Sequence, residues 1–386
     1  MRLLIITTGN NFTTSMLYKE NYIIKAAIEK GHEVKVIANM YTYINGETCK
    51  LKFAEKDLPY SLVRLPYMFV INDFITNKIR RCKGYLNEVL DFRPDLIFIN
   101  CAQVYDVLYC KDIKRALPNV KICMDFSTKF INSARSFLSR EILHKVIYRS
   151  WIQKSLPYVD KVFYISQESM EFARDVYGIS EEIMEHNNLP GELISVDRKL
   201  LYRDEIRRKH NLKSSSILFV NSGKIGKLKK TVELLKVFKQ VDNNDFRLFI
   251  IGSLEQDVKD EILSLIEQDN RVEYLGFKSG AELTKYLCAA DMYVQPGTIS
   301  QTSQTAICCG CAISFTTLPT HMEIYNGNGY FIDSDNDMLR MFKDIDKYGI
   351  NMLQKMGNKS YELAAKELSY NVLYDKILIA LTPQNV

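Results

Sequence analysis

At 386 residues, with 47% hydrophobic and 25% charged residues, the chain is too long for one ordinary core and has the make-up of a soluble globular protein. No run approaches the roughly 18 uncharged apolar residues that span a bilayer. The net charge of +5 lies wholly in residues 1–190, which hold 26 Lys/Arg against 21 Asp/Glu while the rest holds 25 of each. That bias suits an anionic substrate or membrane surface and is too weak to argue for nucleic acid.

The opening MRLLIITTGNN has no small-residue cleavage site, so it is expected to be a first strand of a cytosolic chain. RLLIIT, then the turn-rich TGNNFTTS, then the amphipathic MLYKENYIIKAAIEK stopped at Gly31, then the alternating HEVKVIAN predict a βαβ unit and hence a parallel sheet. The series continues with a helix near 76–90, strands at 95–100 and 120–126, a basic amphipathic helix over 134–157, a strand at 161–166 and a helix closed by Gly178. Patterning fades across 179–213, where a linker is expected. A second βα series starts at SILFVNSG (216–223) and runs through strands at 246–253, 272–277, 292–297, 311–316 and 329–334. The expected fold class is therefore α/β: two tandem doubly wound domains, 1–190 and 200–366, with ligands at the carboxyl ends of the strands. Nine cysteines, an odd number sitting mostly in apolar runs, predict buried reduced thiols. The C-x-x-C at 308–311 lacks a second pair or nearby His for a metal site, so it is expected to be a helix end.

Three blocks of the second half carry chemistry. SGKIGKLKKTVELLKVF (222–238) places a glycine turn before Lys224, Lys229 and a helix, which suits a diphosphate. FIIGS (249–253) and VEYLGF (272–277) end strands in glycine, which allows close approach of a ligand. ADMYVQPGTISQTSQTAICCGCAI (290–313) opens a helix with hydroxyl and amide side chains that can cap it or hydrogen-bond a sugar or phosphate.

In this order the blocks resemble the nucleotide-sugar-binding domain of family 4 glycosyltransferases, which have the GT-B fold of two Rossmann-like domains facing a central cleft. Lys224 takes the position of that family's Arg and Lys229 that of its Lys. Both glutamates of the third block are replaced, the first by Ser300 and the second near Thr305. The resemblance implies a donor site of Gly9, Asn10, Gly223, Gly252, Ser253, Phe277, Thr298, Ser300, Gln301, Thr302 and Thr305. LYKENYIIKAAIEKGHEV (17–34) resembles a Y-x-E-N variant of members that build surface polysaccharides, which puts Asn11, Tyr18, Lys19 and Asn21 on the acceptor side. Asp125 stands in the family's D-x-H segment, with Ser127 in place of the His. ELSYNVLYDKILIAL (367–381) resembles the last helix pair, which crosses back to the first domain.

The resemblance further implies retention of anomeric configuration, a UDP-sugar donor, a glycan or lipid-linked glycan acceptor and no metal or other cofactor. Lys224 and Lys229 would stabilise the leaving diphosphate, and Glu20 and Asp125 are the candidate acceptor-side bases. The helix over 134–157 sets Phe137, Leu138, Ile142, Val146 and Trp151 among Arg135, Arg140, Lys145, Arg149 and Lys154. It can lie on anionic lipid or pack against its own sheet. Rival readings are a non-catalytic nucleotide-sugar-binding subunit and an epimerase of the same fold with His321 at its centre. A dehydrogenase is disfavoured because no G-x-G-x-x-G follows either opening strand.

Overall fold

The computed structural model describes residues 1–44, 47–51, 55–130, 133–134, 136–298 and 301–382. The chain forms two compact units. The first comprises Met1–Thr14, Lys19–Asn188 and Leu373 onward; the second comprises Ser15–Tyr18 and Leu189–Val372.

The first unit is built on β1 (Arg2–Thr7), β2 (Glu33–Asn39), β3 (Ser61–Leu65), β4 (Leu96–Asn100), β5 (Lys121–Phe126), β6 (Lys161–Tyr164) and β7 (Met184–His186). They pair in parallel in the order β3-β2-β1-β4-β5-β6-β7. Leu3–Ile6 and Ile97–Ile99 are almost wholly buried, as expected of strands covered by helices on both faces. Helix α1 (Lys19–Glu29) returns the chain from β1 to β2. At its far end His32 Nδ1 meets the Tyr374 hydroxyl at 2.9 Å, and Lys30 pairs with Asp375 at 2.9 Å. These contacts tie the start of the unit to its last segment.

Several elements differ from the sequence expectation. A hairpin, Tyr41–Ile44 with Glu47–Lys50, and strand β3 lie between β2 and Asp73, where the sequence expectation placed no strand. The single helix expected near 76–90 is two, α2 (Asp73–Ile79) and α3 (Tyr85–Phe92). Arg80 turns left-handed at φ 53°, giving its N–H to the Thr76 carbonyl, and the Cys82 N–H is then drawn onto the buried Asp106 carboxylate. The helix expected over 134–157 is an 11-residue π-helical stretch, Leu138–Tyr148, followed by an α-helix, Arg149–Ser155, and a 3-10 turn. Arg135 lies outside the described residues.

The second unit contains β8 (Ile217–Ser222), β9 (Phe246–Ile251), β10 (Val272–Gly276), β11 (Met292–Gln295), β12 (Ala312–Phe315) and β13 (Gly329–Phe331). All pairings are parallel, in the order β10-β9-β8-β11-β12-β13. The segment expected to be linker holds a 14-residue helix, α4 (Val196–Lys209). This helix buries only Ile206 and is anchored by charge, with Arg203 at 2.7 Å and Arg207 at 3.5 Å from the Asp291 carboxylate. A helix held that way has no apolar stripe for a periodicity argument to find. Each sheet thus repeats the doubly wound order, with its switch point beside its first strand, where ligands bind such sheets.

Candidate functional site

At the switch point of the first sheet, β1 runs into Thr8, Gly9 and Asn10. A Cβ on Gly9 would stand 2.3 Å from the Cys101 carbonyl oxygen, so only glycine lets this loop lie against the end of β4. Three residues without a sequence signal pin the loop. Asn39 Nδ2 donates to the Thr8 and Asn10 carbonyls at 3.1 and 2.7 Å, and the Tyr67 hydroxyl donates to Thr8 O at 2.6 Å. Arg64 holds the Phe12 and Asn39 carbonyls while its fork meets Glu55 at 2.6 and 2.7 Å. Two expected acceptor residues also serve the loop: Asn21 donates to the Thr13 carbonyl at 2.8 Å, and Asn11 reaches Thr48 Oγ1 at 3.3 Å.

The first turn of α1 carries Lys19 and Glu20, both buried, toward the ends of β5 and β7. Lys19 Nζ lies 2.5 Å from Asp125 Oδ1 and 3.3 Å from the Asn187 carbonyl oxygen. Burial raises the Asp125 carboxyl above its ordinary range even with the ammonium beside it. Glu20 accepts from Asn10 Nδ2 at 3.3 Å. Burial lifts its pKa to about 7, with the Asp125 charge adding to the rise. Such a carboxyl exchanges protons near neutrality, as a general base must. Asp125 Oδ2, Asn10 Oδ1 and both side-chain polar atoms of Asn187 are buried and have no hydrogen-bond partner among the described residues. Buried polar atoms call for a partner, and at the carboxyl ends of these strands a ligand can supply one. Sequence reasoning missed Asn187; its only signal was the polar run HNN closing the domain. Tyr18 is half-buried in the short segment that belongs to the second unit.

In the second unit β8 ends at Ser222, whose buried hydroxyl has no partner among the described residues. Gly223 follows at φ 135° and Gly252, at the end of β9, at φ 138°. A Cβ on Gly252 would stand 1.8 Å from the Gly223 carbonyl oxygen, so the two glycine backbones are in contact. Lys229, in the 3-10 turn Lys227–Lys229 before α5 (Thr231–Phe238), is buried beside Gly223 and gives one proton to the Thr298 carbonyl at 2.8 Å. Burial lowers its pKa to about 8.

The turn after β11 is locked from beneath. Gln295, fully buried, donates to the same Thr298 carbonyl and accepts from the Tyr293 hydroxyl at 2.7 Å and Ser303 Oγ at 3.0 Å. A glutamine inside the otherwise apolar MYVQ strand was a readable signal that sequence reasoning passed over. Lys224 is 72% exposed and pairs with Glu255 at 2.9 Å, in contrast to the buried Lys229. In α6 (Gln301–Cys308) Gln301 donates to the Pro190 carbonyl, and the buried Thr305 returns its hydroxyl to the Gln301 carbonyl at 3.3 Å. Thr302 and Ser253 are half-buried, and Phe277 is exposed. Ser300 lies outside the described residues. No group of three or more His, Cys, Asp or Glu among the described residues is placed to hold a metal ion. All nine cysteines are free.

Residues 202–354 match the family model described as glycosyl transferases group 1. No curated protein matches the chain in sequence. Among solved structures, sucrose-phosphate synthase from Thermosynechococcus elongatus is similar at TM-score 0.69 with 12% identity over 98% of both chains. A glycosyltransferase from Rickettsia africae matches at 0.67 with 12% identity over 98% of this chain and 97% of its own. HepE of Anabaena in complex with UDP and glucose matches at 0.64 with 12% identity over 99% of both. The two Rossmann-like domains are those of the GT-B fold, as the sequence resemblance implied.

Proposed function

We propose that the protein is a retaining glycosyltransferase that moves a hexosyl or N-acetylhexosaminyl group from a UDP-sugar to a glycan or lipid-linked glycan acceptor. The observation that carries this reading is the contact of Gly223 with Gly252 beside the buried Lys229, inside the stretch matched by the family model. Bare backbone and one desolvated cation are what a leaving diphosphate requires. HepE, solved with UDP and glucose, supports UDP as the nucleotide. WaaG, described as involved in lipopolysaccharide biosynthesis and similar at TM-score 0.65 with 13% identity over 100% of both chains, supports a role in surface-glycan assembly, as for capsule or O-antigen.

In this reading Lys229 and the N–H groups of the glycine turn take the charge that grows on the diphosphate as the sugar bond breaks. Glu20, ionised above about pH 7, accepts the proton of the acceptor hydroxyl, and Lys19 fixes Asp125 beside it. The protein supplies the cations itself, so no metal is required. Phe137, Leu138 and Val146 are 60–70% exposed among Arg140, Lys145 and Arg149, which favours a place on the inner face of an anionic membrane.

The test is transfer or hydrolysis of a panel of nucleotide sugars, with thermal shifts read alongside. One UDP-sugar is expected to stabilise the protein and be turned over, with both effects lost in Lys229→Ala. The non-catalytic reading has its own support in the buried, self-satisfied hydroxyl of Thr305 at the second glutamate position. Stabilisation by UDP-sugar without any turnover would decide for it.

A further inference from the structure

The first unit holds a cavity of about 510 Å³ between the end of β1, the end of β4 and the π-helical stretch. Its described lining contains two cations, Lys78 and Arg80, and no carboxylate. Hydroxyls cover much of the remainder: Ser127 and Thr128 after β5, and Ser133, Ser136 and Ser139 approaching and entering the π-helix. Thr128 Oγ1 is held by Gln103 Nε2 at 2.8 Å, and the Tyr148 hydroxyl holds the Lys78 carbonyl at 2.8 Å, so both walls are fixed.

Two features show that the backbone is shaped around this space. Of the eight non-glycine residues at positive φ among the described residues, three line it: Arg80 at 53°, Cys101 at 59° and Ala134 at 57°. Each such conformation is strained for an L residue and gathers where a site needs it. The second feature is the helix type. Ser139, His144 and Tyr148 all face the cavity. In an α-helix residues nine apart point to opposite sides. The wider π turn, with its i→i+5 bonding, brings the same face round every four to five residues and lines all three up. His144 gives the space a neutral wall: its Nδ1 shares a proton with the Tyr177 hydroxyl at 2.8 Å, and burial together with the Arg80 and Lys78 charges lowers its pKa to about 4.

We infer that this cavity is an oxyanion pocket of the acceptor: it holds a phosphate or carboxylate carried by the sugar that receives the transferred group, with Lys78 and Arg80 as counter-ions. That the occupant is the acceptor rests on the glycosyltransferase reading, in which the donor diphosphate has its own place at Gly223, Gly252 and Lys229. The volume fits a mono- or disaccharide, and the serine and threonine hydroxyls match sugar hydroxyls in both donor and acceptor capacity. Two sources supply such an anion, a lipid-linked sugar phosphate and an acidic sugar.

The experiment is calorimetric titration of the whole protein with glucose, glucose 1-phosphate, glucuronic acid and farnesyl phosphate, repeated on Lys78→Gln, Arg80→Gln and the double variant, each checked by its melting curve. The anionic ligands are expected to bind about tenfold or more tighter than glucose, and each substitution to weaken them about tenfold. Farnesyl phosphate ahead of glucuronic acid assigns the lipid source, and the reverse order assigns the acidic sugar. Equal binding of glucose, unchanged binding by the folded double variant, or displacement of the anion by UDP overturns the inference. UDP titrated into the same samples keeps the two ideas apart. Loss of all UDP binding with the anion preference intact removes the donor reading and leaves the pocket standing.

Discussion

The two units carry the same strand order around their first strand, yet they furnish the switch point in opposite ways. The first fills it with side chains: a buried ammonium, a buried carboxylate and a carboxyl near neutrality, Lys19, Asp125 and Glu20. The second clears it of side chains, setting Gly223 against Gly252 and leaving Lys229 as the buried cation beside them. The contrast teaches that a doubly wound sheet dictates where chemistry happens and leaves open what kind. Dense charge there suits proton transfer, and bare backbone suits an anion that brings its own charge.

The strongest attack on the contrast is on the bare backbone. Gly252→Ala would drive its Cβ into the Gly223 carbonyl, and the second unit is expected to lose several kcal/mol or fail to fold, read by denaturant unfolding. Gly223→Ala sharpens the point: its Cβ would meet only the Lys229 side chain, Cε at 3.6 Å and Nζ at 3.9 Å, both ordinary contacts, so the cost is the strain of φ 135° alone, about 1–3 kcal/mol. Equal losses in the two variants would show that close approach is not what the pair is for.

Next in size is the charged side. Asp125→Asn leaves Lys19 buried without its counter-ion and is expected to cost about 3–5 kcal/mol, while Lys19→Met combined with Asp125→Leu recovers part of that loss. A double-mutant cycle in urea measures both. Glu20→Gln should fold normally at pH 7 and reduce turnover by about a hundredfold or more, with the acid limb of the rate profile abolished.

The pH dependence joins the two sides. Glu20 must lose a proton, so kcat/KM rises through about pH 7; Lys229 must keep one, so kcat/KM falls through about pH 8. The expected profile is a narrow bell between them, and a bound diphosphate should push the alkaline limb of kcat upward. A flat profile from pH 6 to 9 would separate both groups from the chemistry. The smallest effect is expected of Lys224→Ala. This cation is mostly in solvent, and its pairing with Glu255 should change UDP affinity by no more than about twofold.

These differences also mark what the sequence could disclose. Strands such as Leu3–Ile6 and Leu248–Ile251 are buried on both faces and stand out as apolar runs, so both sheets were legible except for β3 and the short β7, and the separate hairpin was missed. The glycines of the cradle were legible because a strand ending in glycine has few uses. What stayed hidden depends on contacts across long stretches of chain. Arg64 holding Phe12, Asn187 meeting Lys19, and Arg203 with Arg207 on Asp291 leave no local period. The split at Arg80 was hidden for the same reason: the buried Asp106 that captures the Cys82 N–H lies 24 residues further on.

The contact between His32 and Tyr374 bears on how the protein is made. It joins residues 342 positions apart within one unit, and the whole of the second unit except Ser15–Tyr18 is synthesised in between. At about 5–20 residues per second, the β1–β2 region waits tens of seconds on the ribosome for the segment that completes it. The first unit to emerge is therefore the last to be finished. During that interval the Lys30 ammonium and the His32 imidazole face water in place of Asp375 and Tyr374.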